Sequence, residues 1–401
     1  MKPFSKLISF EESKRLIENN TKAIKRIERI SITQAVGRVI AEDIVANFDL
    51  PPFDRAAMDG YAVRAQDTFG AMQQKPKILK VVGSIEAGKT TSRRMDKGES
   101  IKIATGAKLP KGANSVVMVE NTEEENSIVK IFKPVVPKEN IGLKGEDIKK
   151  GSLVIGKNEI LTPSKIGVIA GLGLKAIKVY CKPGIAIIPT GEEICEVGEK
   201  LKEGQVYDIN THTVSAIVEQ NGGVAIKFEI VADNLKELKD VILKATDYEA
   251  VVVCGGSSVG SGDLLARVVQ ELGEIKFHGI QIKPGKPTLF GIVKNKPIFG
   301  LPGYPTSCLL NTYLLLLPAL RKLARLPQKE ERVVKAKLAK RVHGSLGRKF
   351  FLTVKLEEEL AIPVFKESGA ITSISEAQGY VEIPENVDVL EKGEEVEVKL
   401  F

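Results

Sequence analysis

The 401-residue chain has no tryptophan, four cysteines, three histidines and an aromatic fraction of only 5%. Each scarcity removes a class of function. Cys181, Cys195, Cys254 and Cys308 stand far apart, without CxxC or CxxH spacing, which argues for a reducing compartment with neither a disulfide framework nor a zinc site. His212, His278 and His343 lack metal-ligand spacing, HExxH is absent, and no Ser-His-Asp case can be made. Acid–base chemistry must then come from carboxylates, lysines or metal-bound water. No stretch approaches the roughly 20 consecutive apolar residues that span a bilayer. The opening MKPFSKLISFEESKRL has neither the apolar run nor the cleavage site of a signal peptide, so a cytoplasmic protein is expected. Charge is not gathered into a block either: 59 Lys and Arg against 51 Asp and Glu give a net +8, spread along the chain. Without a basic stripe and stacking rings, nucleic acid is a poor partner, and a small anionic substrate suits the balance better.

What is present centres on 250–263, AVVVCGGSSVGSGD. Ala250 to Val253 read as a buried strand. Glycines and hydroxyls follow, and Leu264, Leu265, Val268 and Val269 resume at helical spacing. A strand opening through glycines into a helix N-terminus is how α/β proteins hold anions, because glycine lets backbone N–H groups turn toward a ligand and the helix dipole favours negative charge. Gly255, Gly256, Ser257, Ser258 and Gly260 are the candidate contacts. Asp263 would repel a phosphate, and makes sense with a hard cation such as Mg2+ between them. The plain alternative is a tight turn with a helix cap. The loop is neither a Walker A nor GxGxxG, so neither ATPase nor dehydrogenase follows.

The fold class expected is multidomain: a doubly wound α/β domain, an inserted small mainly-β domain, an N-terminal scaffold segment and a C-terminal β-barrel. Residues 1–48 and 142–180 form the scaffold, opened by a capping box at Ser9-Phe10-Glu11-Glu12. Residues 49–141 are the insertion. It begins at DLPPFDRAAMDGY, where Asp59-Gly60 reads plainly as a hairpin turn, and it contains Thr105 at a strand end. Residues 181–328 alternate strand and helix, which predicts a mostly parallel sheet with ligands at the carboxyl ends of its strands. Thr190, Glu193, Asp233 and the 254–263 loop each follow a strand and so meet on one rim. IKPGKP sets Lys283 and Lys286 across a rigid turn where both ammonium groups can face one anion. GLPGYP makes a stiff loop at a strand end, with Thr306 expected to cap an apolar helix. Residues 329–401 alternate as a small barrel.

Taken in order, PPFDRAAMDGYAV, IATGAKLPKGA, IIPTGEE, CGGSSVGSGD, IKPGKP, GLPGYPTS and ITSISEAQGY resemble one family, the molybdopterin molybdenumtransferases, MoeA, homologous to the gephyrin E domain. The resemblance implies an elongated homodimer of four-domain subunits, with the cleft between the α/β domain of one subunit and the inserted domain of its partner. It implies insertion of molybdate into adenylylated molybdopterin, with cleavage of the phosphoanhydride, release of AMP, and Mg2+ as cofactor. Carried over, the catalytic positions are Asp59, Thr105, Glu193, Asp233 and Asp263, the last three as metal ligands. Thr190, the glycines and serines of the 255–260 loop, Lys283, Lys286, Pro302 and Pro305 would contact substrate, with Ser373 and Arg348 matching less closely. Gly279 stands where some lineages carry a lysine, and Tyr304 replaces a common asparagine, which leaves tungstate open beside molybdate. Two other readings stay in view: a molybdopterin adenylyltransferase, which would instead be a transient partner, and a non-catalytic molybdopterin-binding scaffold.

Overall fold

The computed structural model describes residues 7–255, 262–364 and 371–401. The chain forms two compact units, one mainly Val179–Phe401 with the N-terminal helix, the other mainly Ile40–Lys178. The helix Phe10–Asn20 starts as its capping box requires: Ser9 Oγ accepts from the Glu12 N–H at 3.2 Å, and Phe10, Ser13 and Ile17 are buried.

At the centre of the larger unit is a six-stranded sheet in the order 224–227, 184–189, 250–254, 296–301, 289–293, 273–278. The first four strands are parallel. The strand 289–293 runs antiparallel to both its neighbours, so the sheet is mostly parallel, as expected, with one reversed strand near its edge. A tight turn at Lys294-Asn295, both at positive φ, returns the chain as a hairpin and leaves no room for a crossover helix. Alternate residues serve two helical layers. Ile187, Val252 and Phe299 pack with the helices of 210–220 and 305–323, while Ile188, Val253 and Ile298 pack with those of 235–245 and 262–272.

The apolar segment after GLPGYP is not one regular helix. Pro305–Asn311 is α-helical, Thr312–Leu316 widens to π geometry, and Leu317–Leu323 resumes. Pro318 has no N–H and its ring crowds the carbonyl four residues earlier, so the wider turn falls where that bond would be. Tyr304 precedes the helix and Pro305 opens it, so Thr306 lies inside the first turn and is not the cap expected. Proline at the first helical position needs no donor there.

The C-terminal strands close into a barrel: 349–357 pairs with 360–363 and 379–383, and 333–338 joins 360–363 to 395–400, which returns to 379–383. Leu338, Phe350, Leu352, Val354, Ala361, Ile383 and Val398 fill it. No helix among the described residues is long and apolar enough to cross a membrane.

The smaller unit carries its own six-stranded sheet, in the order 115–118, 60–63, 99–103, 77–85, 128–131, 122–125. Gly60 is the first residue of its strand, not part of a hairpin turn. A Cβ there would stand 1.9 Å from the Val117 carbonyl oxygen, so only glycine permits the pairing. Gly60→Ala is expected to destabilise this unit by about 3 kcal/mol, the upper end of overpacking costs, read as a lower urea midpoint in far-UV circular dichroism.

Candidate active site

Register builds the rim of the larger unit. Pro189, Cys254 and Leu301 lie side by side across three parallel strands, so the loops after them leave one edge together. Thr190 bridges Val231, which brings the 231–234 loop to the same edge. The Thr190 N–H donates to the Cys254 carbonyl at 3.0 Å and its hydroxyl faces that oxygen at 3.5 Å, so this buried threonine fastens the loops. Gly255 sits at φ +101° with its Cβ position 2.3 Å from the Thr190 carbonyl oxygen, a crossing that admits no side chain. Gly256, Ser257, Ser258 and Gly260 lie outside the described residues. Asp263 stands in the helix Gly262–Leu272, and its side chain is outside the description.

Glu193 and Asp233 do come together. Asp233 is exposed, with its carboxyl partly withdrawn from water. This desolvation, followed by the like charges of Glu193 and Glu192, raises its pKa above its ordinary value. Next along the chain, Asn234 Oδ1 accepts from the N–H groups of Lys236 and Glu237 and caps the helix Leu235–Ala245. Among the described residues no cluster of three metal-binding side chains occurs. Two carboxylates on one rim nevertheless suit an oxygen-liganded divalent cation, which would offset their like charge.

The lysine turn is anchored from two sides. Ile282–Lys283 pairs in parallel with Lys349-Phe350 of the barrel. Behind the turn, buried Asn311 donates to the Gly285 carbonyl at 3.3 Å and to Thr288 Oγ1 at 2.5 Å. The Lys283 ammonium lies 4.6 Å from the centre of the Phe350 ring and pairs with no carboxylate among the described residues. A half-buried ammonium without a counter-charge is a ready anion contact. The same pairing places Arg348 one residue before Lys349, beside this turn. Gly279 has φ +101°, so glycine here is set by the backbone, and any side chain would be strained. Tyr304 is 63% exposed. Pro302 and Pro305 flank Gly303, whose Cβ position is 3.7 Å from Gly255 Cα and whose carbonyl accepts from Asn210 Nδ2 at 2.7 Å. Ser373 lies in the short helix Ile371–Glu376, which packs against Pro305–Asn311.

In the smaller unit, Gly60 opposes Ile103 across antiparallel strands, which sets Asp59 beside Thr105. The Thr105 N–H and hydroxyl both donate to Asp59 Oδ1, at 2.7 and 2.9 Å. The backbone bond first and the hydroxyl second hold the Asp59 pKa below the ordinary value. Cys254 is no nucleophile: the Cys308 thiol against it, then burial, push its pKa well up.

A putative molybdopterin biosynthesis protein of Methanocaldococcus jannaschii is 38% identical over 98% of this chain and 96% of its own length. A molybdopterin molybdenumtransferase of Staphylococcus epidermidis is 31% identical over 98% of this chain and 95% of its own. The chain belongs to the MoeA family, the molybdopterin molybdenumtransferases. It is thereby an enzyme of molybdenum cofactor biosynthesis. Three family models follow one another along it: the MoeA N-terminal region (domain I and II) at 8–173, the probable molybdopterin binding domain at 186–322, and the MoeA C-terminal region (domain IV) at 335–401. A crystal structure of the molybdopterin biosynthesis MoeA protein of Pyrococcus horikoshii superposes with a TM-score of 0.87 at 44% identity, covering 98% of this chain and 99% of that one.

In this MoeA chain, sequence reasoning passed over three residues that hold the rim together: Asn210, Asn311 and Phe350. Asn210 stands in YDIN, whose strand-then-helix texture hid a side chain reaching 93 residues onward. For Thr105 the geometry makes a direct claim. Thr105→Val removes one of two hydrogen bonds to ionised Asp59 while keeping the backbone one. The Asp59 carboxyl should then titrate at higher pH in 13C NMR, with the fold unchanged.

Proposed function

We propose that this chain inserts molybdate into adenylylated molybdopterin, splitting the phosphoanhydride and releasing AMP, as a cytoplasmic homodimer whose site is shared between subunits. Full-length identity to molybdenumtransferases supports the reaction class. The observation that carries the site assignment is the meeting, on one rim, of an ammonium with no carboxylate partner among the described residues and of Asp233, which feels the like charge of Glu193. Both the substrate and the oxyanion are anions. Lys283 and Lys286 hold their oxygens, the amides of the glycine loop cradle phosphate, and Pro302 and Pro305 shape the pocket for the oxyanion. Glu193, Asp233 and Asp263 would hold Mg2+, which when bound supplies positive charge for the electrons developing on the leaving phosphate. Asp59 of the partner subunit, kept ionised by Thr105 of the partner subunit, would complete the acidic set. Ser373 and Arg348 belong at the edge of the same site. Tungstate is the alternative oxyanion, and the adenylyltransferase that makes the substrate is the expected transient partner. An adenylyltransferase function is the weaker reading, because the homologous match extends well beyond the α/β domain. A scaffold is weaker still, because all four proposed carboxylates are retained.

Purified protein given adenylylated molybdopterin, Mg2+ and molybdate should release AMP, seen by chromatography. Asp59→Ala and Asp263→Ala should each lose about a hundredfold or more, as expected for groups acting on developing charge. ATP-dependent adenylylation of free molybdopterin, with no AMP release, would reverse the assignment.

The cation has a separate test in stability. With its folded pKa raised, Asp233 stabilises the fold below its unfolded pKa, and that contribution is lost as pH rises through the folded value. At neutral pH, without metal, the cost of its partial desolvation and of the like charge of Glu193 is therefore fully expressed. Asp233→Asn should raise the metal-free Tm at pH 7 and abolish the Tm gain that Mg2+ gives the wild type. An equal Mg2+ effect in both proteins would rule Asp233 out as a ligand.

A further inference from the structure

The loop 302–305 carries two prolines yet is not held by them alone. The helix Asn210–Gln220 begins beneath it, its first turn fixed where buried Asp208 accepts from the Thr211 N–H at 3.0 Å. That turn projects Asn210, 9% exposed, so that Nδ2 donates to the Gly303 carbonyl at 2.7 Å. Gly303 in turn lies against Gly255, at the mouth of the glycine loop. Prolines fix torsions within a loop; they do not fix where the loop stands, and they give away a donor each. The bond from Asn210 supplies the missing anchor.

Asn210 is an expensive residue at this place if packing were its purpose. Its Oδ1 is buried with no hydrogen-bond partner among the described residues, and so is the hydroxyl of Thr306 in the helix that the loop enters. A half-satisfied buried amide is less stable than an apolar group of the same shape. The residue suits a position where aiming one donor matters more than stability.

We propose that Asn210 is a positioning residue for the metal oxyanion: by holding the Gly303 carbonyl it sets where Pro302 and Pro305 stand, without touching the reacting atoms. This rests on the transferase reading above and deepens it. Loss of the bond lets the loop drift from Gly255, which weakens capture of molybdate and leaves the carboxylate and lysine groups in place.

The test compares wild type, Asn210→Asp, which keeps the shape but loses the donor, and Asn210→Ala. Thr211→Val serves as control, since it replaces a buried hydroxyl without a partner among the described residues by an isosteric methyl. In the AMP-release assay the Asn210 variants should raise KM for molybdate roughly tenfold, with kcat within about twofold and KM for adenylylated molybdopterin unchanged. Hydrogen exchange over 302–306 should quicken in both variants. Thr211→Val should match the wild type in both measurements. Unchanged KM for molybdate and unchanged exchange in Asn210→Asp, with wild-type activity intact, would overturn the clamp. So would equal loss for both substrates. Wild-type protein that releases no molybdate-dependent AMP would instead overturn the transferase reading, with the exchange comparison still deciding whether Asn210 holds the loop.

Discussion

The rim depends on the register of three parallel strands. Ile187, Val252 and Phe299 lie in one row and Pro189, Cys254 and Leu301 in another, and the apolar side chains among them are almost wholly withdrawn from water. A slip of one residue would turn each of these side chains to the opposite helical layer. With about 1.5–3 kcal/mol at stake for each large side chain buried, the register is not negotiable. The loops 190–193, 255 and 302–305 inherit their meeting point from this constraint. Their own bonds then tighten it: Thr190 to the Cys254 carbonyl, Gly255 N–H to the Leu301 carbonyl at 3.3 Å, and Asn210 to the Gly303 carbonyl.

A second consequence concerns charge. A sheet edge exposes no cations of its own, so the lysine turn must be brought to it. The chain does this by lending Ile282–Lys283 to the barrel as an added strand, while the buried amide of Asn311 braces the same turn from the α/β side. Lys283 is thereby held against an aromatic face and kept from any described carboxylate, whereas Asp233 feels the like charge of Glu193. Opposite charges that could neutralise each other are kept apart by the backbone. Held apart, they remain available to ligands of opposite sign.

The smaller unit solves a related problem locally. Asp59 and Thr105 stand at adjacent ends of antiparallel strands, and two short hydrogen bonds keep the carboxylate ionised and aimed. Gly60 is what allows those strands to approach. The pair that looked in the sequence like a turn, Asp59-Gly60, is a strand start because Val117 lies too near for any other residue.

Much of this was legible from the chain itself. Alternating β-branched runs and helical spacing determine the α/β layers and the barrel, because burial on two faces or one imposes those periods. Motif order was enough to imply the family, and the rim position of Thr190, Glu193 and Asp233 follows from their place after strands. Other features were decided only by tertiary structure. The antiparallel hairpin at the sheet edge, the π turn before Pro318, Thr306 inside its helix rather than at the cap, the added strand at Lys283 and the reach of Asn210 to Gly303 all join residues far apart or depend on what lies against them. Local pattern records which face a residue turns to the core. It does not record which distant backbone oxygen a side chain will meet there, because that distance exists only once the layers have packed.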